Sequence, residues 1–133
     1  MASILVVDDD MVLNQLLSEI LIYEGFDVVS AHSGRDALAI LEGLAPDAIV
    51  LDLEMPGISA RSVHRRWEER TRIERQPRLV GLSSMRATAN GATGADVLLR
   101  KPFPIPRLVS VLSELLIREP GTGELIGSPA SAV

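Results

Sequence analysis

Asp47-Ala48-Ile49-Val50-Leu51-Asp52-Leu53-Glu54-Met55-Pro56-Gly57 is an apolar run that delivers one carboxylate into a Pro/Gly turn. Ala48 to Leu51 carry no charge, include β-branched residues and lie between Pro46 and Pro56-Gly57, which predicts a strand buried on both faces. Asp52 then stands where the buried strand meets solvent. In an open parallel sheet the carboxyl ends of the strands open into the ligand crevice. An acid at that point has two readings, a cap for the turn that follows or a group that does chemistry.

Two further stretches favour chemistry. Ser3-Ile4-Leu5-Val6-Val7 is a second short β-rich run, ending in Asp8-Asp9-Asp10 before a helix-patterned segment. Val97-Leu98-Leu99 is a third, closed by Arg100-Lys101-Pro102-Phe103. If the three strands are parallel, Asp8, Asp9, Asp52 and Lys101 meet at one edge. Carboxylates held together repel, and a bound cation relieves them. Oxygen ligands without His or Cys favour a hard ion, and Mg²⁺ typically takes one or two carboxylates, several waters and a substrate phosphate. Lys101, the only lysine among the 13 basic residues, supplies a compact positive charge for that phosphate.

The rest of the chain alternates strand and helix. From Asp10 to Tyr23, Leu13, Leu16, Leu17, Ile20 and Leu21 recur at helical spacing, with Asn14, Gln15, Ser18 and Glu19 assigned to the opposite side. Asp10 caps this helix and Gly25 suits the left-handed position after it. Phe26 to Ala31 reads as a strand. Ser33-Gly34-Arg35-Asp36 resembles a capping box and opens a helix burying Ala37, Leu38, Ile40 and Leu41, which stops near Gly43. Ser59 to about Arg75 is a charged helix whose Arg-rich face either docks an acidic partner or is solvated and laced with ion pairs; the interleaved Glu68, Glu69 and Glu74 favour ion pairs. His32 and His64 read as surface residues. Arg78 to Ser83 is the fourth strand, where Ser83 either caps a following helix or faces a phosphate beside the carboxylate edge. Met85 to Gly94 is short, poor in large apolar residues and contains Asn90-Gly91, so a helix here is shortened to about a turn or replaced by a loop. Pro104 to Ile117 is the last helix, buried along Ile105, Leu108, Val109, Leu112 and Leu116, with Val111 and Leu115 widening the arc. Such alternation predicts parallel βαβ units with right-handed crossovers.

Composition bounds the function. A chain of 133 residues suits one domain, expected over 1–118, with 119–133 a flexible tail or a linker cut short. Hydrophobic residues make up 47% and aromatics 3%, so the core is built from Leu, Val, Ile and Ala, which suits an α/β sandwich better than an aromatic-dependent binding platform. A net charge of −5 argues against general nucleic-acid binding, and the lack of cysteine excludes disulfides and thiolate metal sites. The N-terminus enters a strand without a signal-like region and no apolar run approaches a membrane span, so the expectation is a cytoplasmic protein without membrane insertion.

Ile4-Leu5-Val6-Val7-Asp8-Asp9, Ile49 to Gly57, Leu82-Ser83-Ser84, and Gly94-Ala95-Asp96 leading to Lys101-Pro102-Phe103 together resemble the receiver domain of two-component response regulators. That resemblance implies a flavodoxin-like, doubly wound, five-stranded parallel α/β sheet in the order 2-1-3-4-5, with the fourth helix shortened or missing here. It implies that Asp52 accepts a phosphoryl group from a histidine kinase or phosphotransfer protein. Asp8 and Asp9, with Asp52 and the carbonyl of Glu54, would hold Mg²⁺; Ser83 and Lys101 would contact the phosphoryl group, and Lys101-Pro102 would be cis. The Glu54 position implies an effect on hydrolysis rate. The family commonly has an aromatic switch residue where Leu98 stands, and often glycine where Ala60 stands. The domain is expected to be no enzyme beyond promoting its own phosphorylation and dephosphorylation, and to signal to a downstream protein through contacts rather than by binding nucleic acid directly. Leu98 and the eroded helix motivate a second reading, a receiver-like adaptor that phosphorylation does not switch. A Mg²⁺-dependent aspartyl-phosphate hydrolase is a third, disfavoured because Glu54 stands where it would want a second general acid/base Asp and no lid domain fits.

Overall fold

The computed structural model describes residues 2–55, 62, 65, 66, 69, 78–84 and 95–117. Five strands, β1 (Ser3–Val7), β2 (Asp27–Ala31), β3 (Ala48–Asp52), β4 (Arg78–Ser83) and β5 (Val97–Arg100), form one sheet in the order β2-β1-β3-β4-β5. Every pairing is parallel. Among the described residues, three helices have both ends placed: α1 (Met11–Tyr23), α2 (Gly34–Leu41) and α3 (Ile105–Ile117).

Period-two alternation of the strands divides the core between the faces. Ile4, Val6, Val50, Val80 and Leu82 pack with Leu17 and Leu21 of α1 and Leu108 and Leu112 of α3. Leu5, Val7, Ile49, Leu51 and Leu79 pack with Ala37 and Leu41 of α2 on the other face. All five residues of β3 are buried, as an apolar run ending in one acid requires at the centre of a two-sided sheet.

Local chemistry sets the helix ends. The Asp10 carboxylate accepts from the Leu13 amide at 3.1 Å, and Ser33 Oγ accepts from the Asp36 amide at 3.0 Å. Gly25 has φ +103°, the left-handed conformation expected after α1. The Lys101-Pro102 peptide is cis.

One expectation for α1 is reversed. Asn14 and Ser18, assigned to the solvent side, are buried with Leu17 and Leu21, while Leu16 is 44% exposed. Positions 14, 17, 18 and 21 form the stripe facing the sheet. At its N-terminal end that stripe meets backbone carbonyls following β1 and ending β2, which reward an amide more than a leucine. Asn14 Nδ2 donates to the carbonyls of Asp8 at 3.0 Å and Ala31 at 2.9 Å, and Ser18 Oγ shares a 2.8 Å hydrogen bond with Ser30 Oγ.

Of the charged helix expected over 59–75, Ser62, Arg65, Arg66 and Glu69 are helical and the remainder, His64 and Trp67 included, lies outside the described residues. Arg66 pairs with Glu42 and, at 3.9 Å, with Glu69, in line with an ion-paired face. The segment between Ser84 and Ala95, expected to be a shortened helix or a loop, and the tail beyond Ile117 also lie outside the described residues.

Candidate functional site

Parallel strands bring the carboxyl ends of β1, β3, β4 and β5 to one edge, and the residues found there are the predicted ones. Asp8, just after β1, is fully buried; Asp52, the last residue of β3, is nearly so; Asp9 is exposed. Ligand atoms of these three carboxylates lie within 4.8 Å of one another. Lys101 Nζ, just past β5, stands 3.4 Å from Asp8 Oδ2 and 3.5 Å from Asp52 Oδ2.

Backbone donors fix the acids. Asp8 Oδ1 accepts the Asp10 amide at 2.9 Å, and Asp52 Oδ1 accepts the Glu54 amide at 2.9 Å. Asp8 is further held from behind, because its amide donates to the Ala31 carbonyl at 3.1 Å while its own carbonyl accepts from Asn14. The amide of Lys101 donates to the Ser83 carbonyl at 2.8 Å, which ties β5 to the end of β4. Asn14→Ala leaves the Asp8 carbonyl without that donor and is expected to cost about 2 kcal/mol in urea denaturation.

Burial pushes the Asp8 carboxyl up from its usual range and the Asp52 charge adds to this; the Asp10 amide and the Lys101 ammonium oppose it without cancelling it. For Lys101, burial alone would favour the neutral amine, but the attraction of Asp52 and then Asp8 outweighs it and raises the amine above its usual value. Lys101 therefore stays cationic at neutral pH. Asp8 Oδ2 is buried and has no hydrogen-bond partner, with the Lys101 ammonium 3.4 Å away. An orphaned buried carboxylate oxygen, beside two further carboxylates in an all-oxygen set, fits a hard divalent cation such as Mg²⁺.

Ser83 closes β4 at the same edge, and its hydroxyl donates to Glu54 Oε2 at 2.7 Å. Ser84 adds its amide to that oxygen at 2.9 Å and its hydroxyl to Oε1 at 2.6 Å. Leu98 is the register partner of Gly81 and is 38% exposed. A Cβ at Gly81 would meet Leu53 Cδ1 at 2.8 Å and Leu98 Cδ2 at 3.1 Å, so the glycine admits both leucines over this stretch of sheet. Sequence reasoning missed the buried role of Asn14 and the carboxylate bridge of Glu54. Asn14 and Ser18, a polar i,i+4 pair amid leucines, were the available signal for the first.

Fold and site together define the class: a flavodoxin-like α/β domain with a cation-suited cluster of carboxylates and one lysine at its carboxyl edge. The chain belongs to the response regulator receiver domain family, whose model matches residues 4–113. It is 36% identical over 116 residues to the transcriptional regulatory protein TrcR of Mycobacterium tuberculosis, covering 86% of this chain and 45% of that protein. The chain spans about half the length of the curated relatives it matches. A CheY-like receiver domain protein from Methanospirillum hungatei shares the fold at TM-score 0.78 and 22% identity, covering 87% of this chain and 94% of that one. TrrA of Thermotoga maritima, solved in complex with Mg(2+)-BeF, superposes at TM-score 0.75 with 29% identity over 86% of this chain and 99% of that one. The domain is thus a two-component signalling module, and phosphorylation on aspartate with Mg²⁺ binding is general to its family. Because relatives include transcriptional regulatory proteins, the expectation of no direct nucleic-acid contact finds no support from them. Among the described residues no helix is long and apolar enough to cross a membrane.

Proposed function

We propose that this receiver domain accepts a phosphoryl group on Asp52 from a sensor histidine kinase or a phosphotransfer protein and passes the signal on through protein contacts in the cytoplasm. The observation that carries the reading is the cluster of Asp52, Asp8 and Asp9 with Lys101 Nζ 3.5 Å from the Asp52 carboxylate. An Asp52 oxygen forms the new P–O bond as the P–N bond of a phosphohistidine breaks, and the electron pair returns to the imidazole. The product is an acyl phosphate. Lys101 neutralises charge on the transferring group, and the Asp10 and Glu54 amides hold the Asp8 and Asp52 carboxylates in place, so these two acids need not reorient during transfer. Asp8, Asp9, Asp52 and the Glu54 carbonyl would hold Mg²⁺, which would supply further neutralisation when bound. Ser83 and Lys101 are the phosphoryl contacts.

In this reading the chain is no general enzyme: it promotes only its own phosphorylation and dephosphorylation and does not turn over small phosphate esters. Labelled phosphohistidine on a kinase or phosphotransfer protein tests the donor class. Label is expected to move to this chain in one step and to be lost from it to hydroxylamine, which attacks an acyl phosphate. Label stable to hydroxylamine, or no transfer from any phosphohistidine donor, contradicts the proposal.

A further inference from the structure

Glu54 occupies hydrogen-bond donors at the same edge as the phosphoacceptor. Its carboxylate takes the Ser83 hydroxyl and the Ser84 amide on one oxygen and the Ser84 hydroxyl on the other, at 2.7, 2.9 and 2.6 Å. A serine hydroxyl has one proton, so while Ser83 donates to Glu54 it donates to nothing else. Two hydroxyls and an amide converging on an anion also form a small anion site, filled here by the protein's own side chain.

The bridge is coupled to the acceptor at both ends. Glu54 lies two residues beyond Asp52 and its amide donates to Asp52 Oδ1 at 2.9 Å; Ser83 accepts the Lys101 amide on its carbonyl at 2.8 Å. Glu54 itself is exposed, so a released carboxylate passes into water rather than into the core.

Resting on the Asp52 reading, we infer that the Glu54 carboxylate is an internal competitor for the phosphoryl site: it holds Ser83 and Ser84 in the unmodified protein and is displaced when an anion on Asp52 claims the Ser83 proton. Two physical costs then oppose phosphoryl occupancy. The bridge must open, and a carboxylate must give way to a dianion of like charge. Apparent affinity for a phosphoryl group falls in proportion to the fraction of molecules in which the bridge is closed.

The test uses beryllium fluoride with Mg²⁺ as a noncovalent phosphoryl mimic, on the wild-type chain, Glu54→Ala and Ser84→Ala, followed by ¹⁵N-resolved NMR. Glu54→Ala is expected to bind about tenfold more tightly, the scale of one charge-assisted hydrogen bond, and Ser84→Ala by a smaller factor in the same direction. The Ser84 amide resonance of the wild type should shift on adding the mimic toward its position in Glu54→Ala. Equal or weaker binding by Glu54→Ala, or a Ser84 amide unmoved by that substitution, overturns the inference while leaving Asp52 as acceptor. Failure of all three proteins to bind overturns the acceptor reading and the inference with it.

Discussion

Asp8→Asn is expected to stabilise the metal-free protein by about 1 kcal/mol, roughly 4 °C in thermal midpoint, and to abolish the stabilisation that Mg²⁺ gives the wild type. Asp8 is fully buried, its Oδ2 lacks a hydrogen bond, and burial together with Asp52 raises its pKa. A carboxyl whose pKa is raised on folding favours the native state in its neutral form. Its stabilising contribution is complete below the unfolded value and is lost as pH rises through the folded value, so at neutral pH the wild type carries the cost of the charge. Asparagine removes that charge. The gap between variant and wild type should therefore shrink as pH falls through the Asp8 pKa. Mg²⁺ works the other way, since a ligand that binds only the folded state stabilises it by mass action, and Asp8 is one of its proposed holders. Calorimetry of both proteins with and without Mg²⁺ at neutral and acid pH checks each part. A destabilised metal-free variant would contradict this reading of the buried acid.

Lys101→Met carries the larger cost, about 2–3 kcal/mol at neutral pH, because it leaves two buried carboxylates facing each other without their cation. The estimate sits below that for a fully buried pair because the lysine side chain is 22% exposed. The raised amine pKa fixes the pH window: the lysine contribution is complete at neutral pH and is lost only as pH rises through the folded value. Mg²⁺ should recover part of the stability by neutralising the same carboxylates, but not the rate of labelling by acetyl phosphate, where the ammonium acts on the phosphoryl group itself. Equal stability of Lys101→Met and wild type in chelator would show that the lysine does not offset the acids.

The strands and the acids were legible because each depends on local pattern. Four apolar residues ending in Asp52 admit little besides a central strand, and once β1, β3 and β5 are parallel the positions of Asp8, Asp9 and Lys101 follow from the topology. Family resemblance added the strand order and the cis Lys101-Pro102 peptide, both present in the structure. Asn14 was not legible as a buried residue, since side-chain polarity placed it in water and only the tertiary pairing with the Asp8 and Ala31 carbonyls reverses that preference. The Glu54 bridge was invisible for a related reason: it joins residues some 30 positions apart through side-chain rotamers that no periodicity encodes. Asp96 belongs with these: its carboxylate accepts the Leu79 amide at 2.7 Å, a contact between residues 17 positions apart that no local pattern encodes.

Intact mass spectrometry after treatment with acetyl phosphate and Mg²⁺, with Asp52→Asn alongside, tests the central proposal most directly. The wild type is expected to gain a single phosphoryl increment that disappears on standing, and Asp52→Asn to gain none. An unmodified wild type that nonetheless binds Mg²⁺, or an increment that persists in Asp52→Asn, would contradict the assignment of Asp52 as the phosphoacceptor.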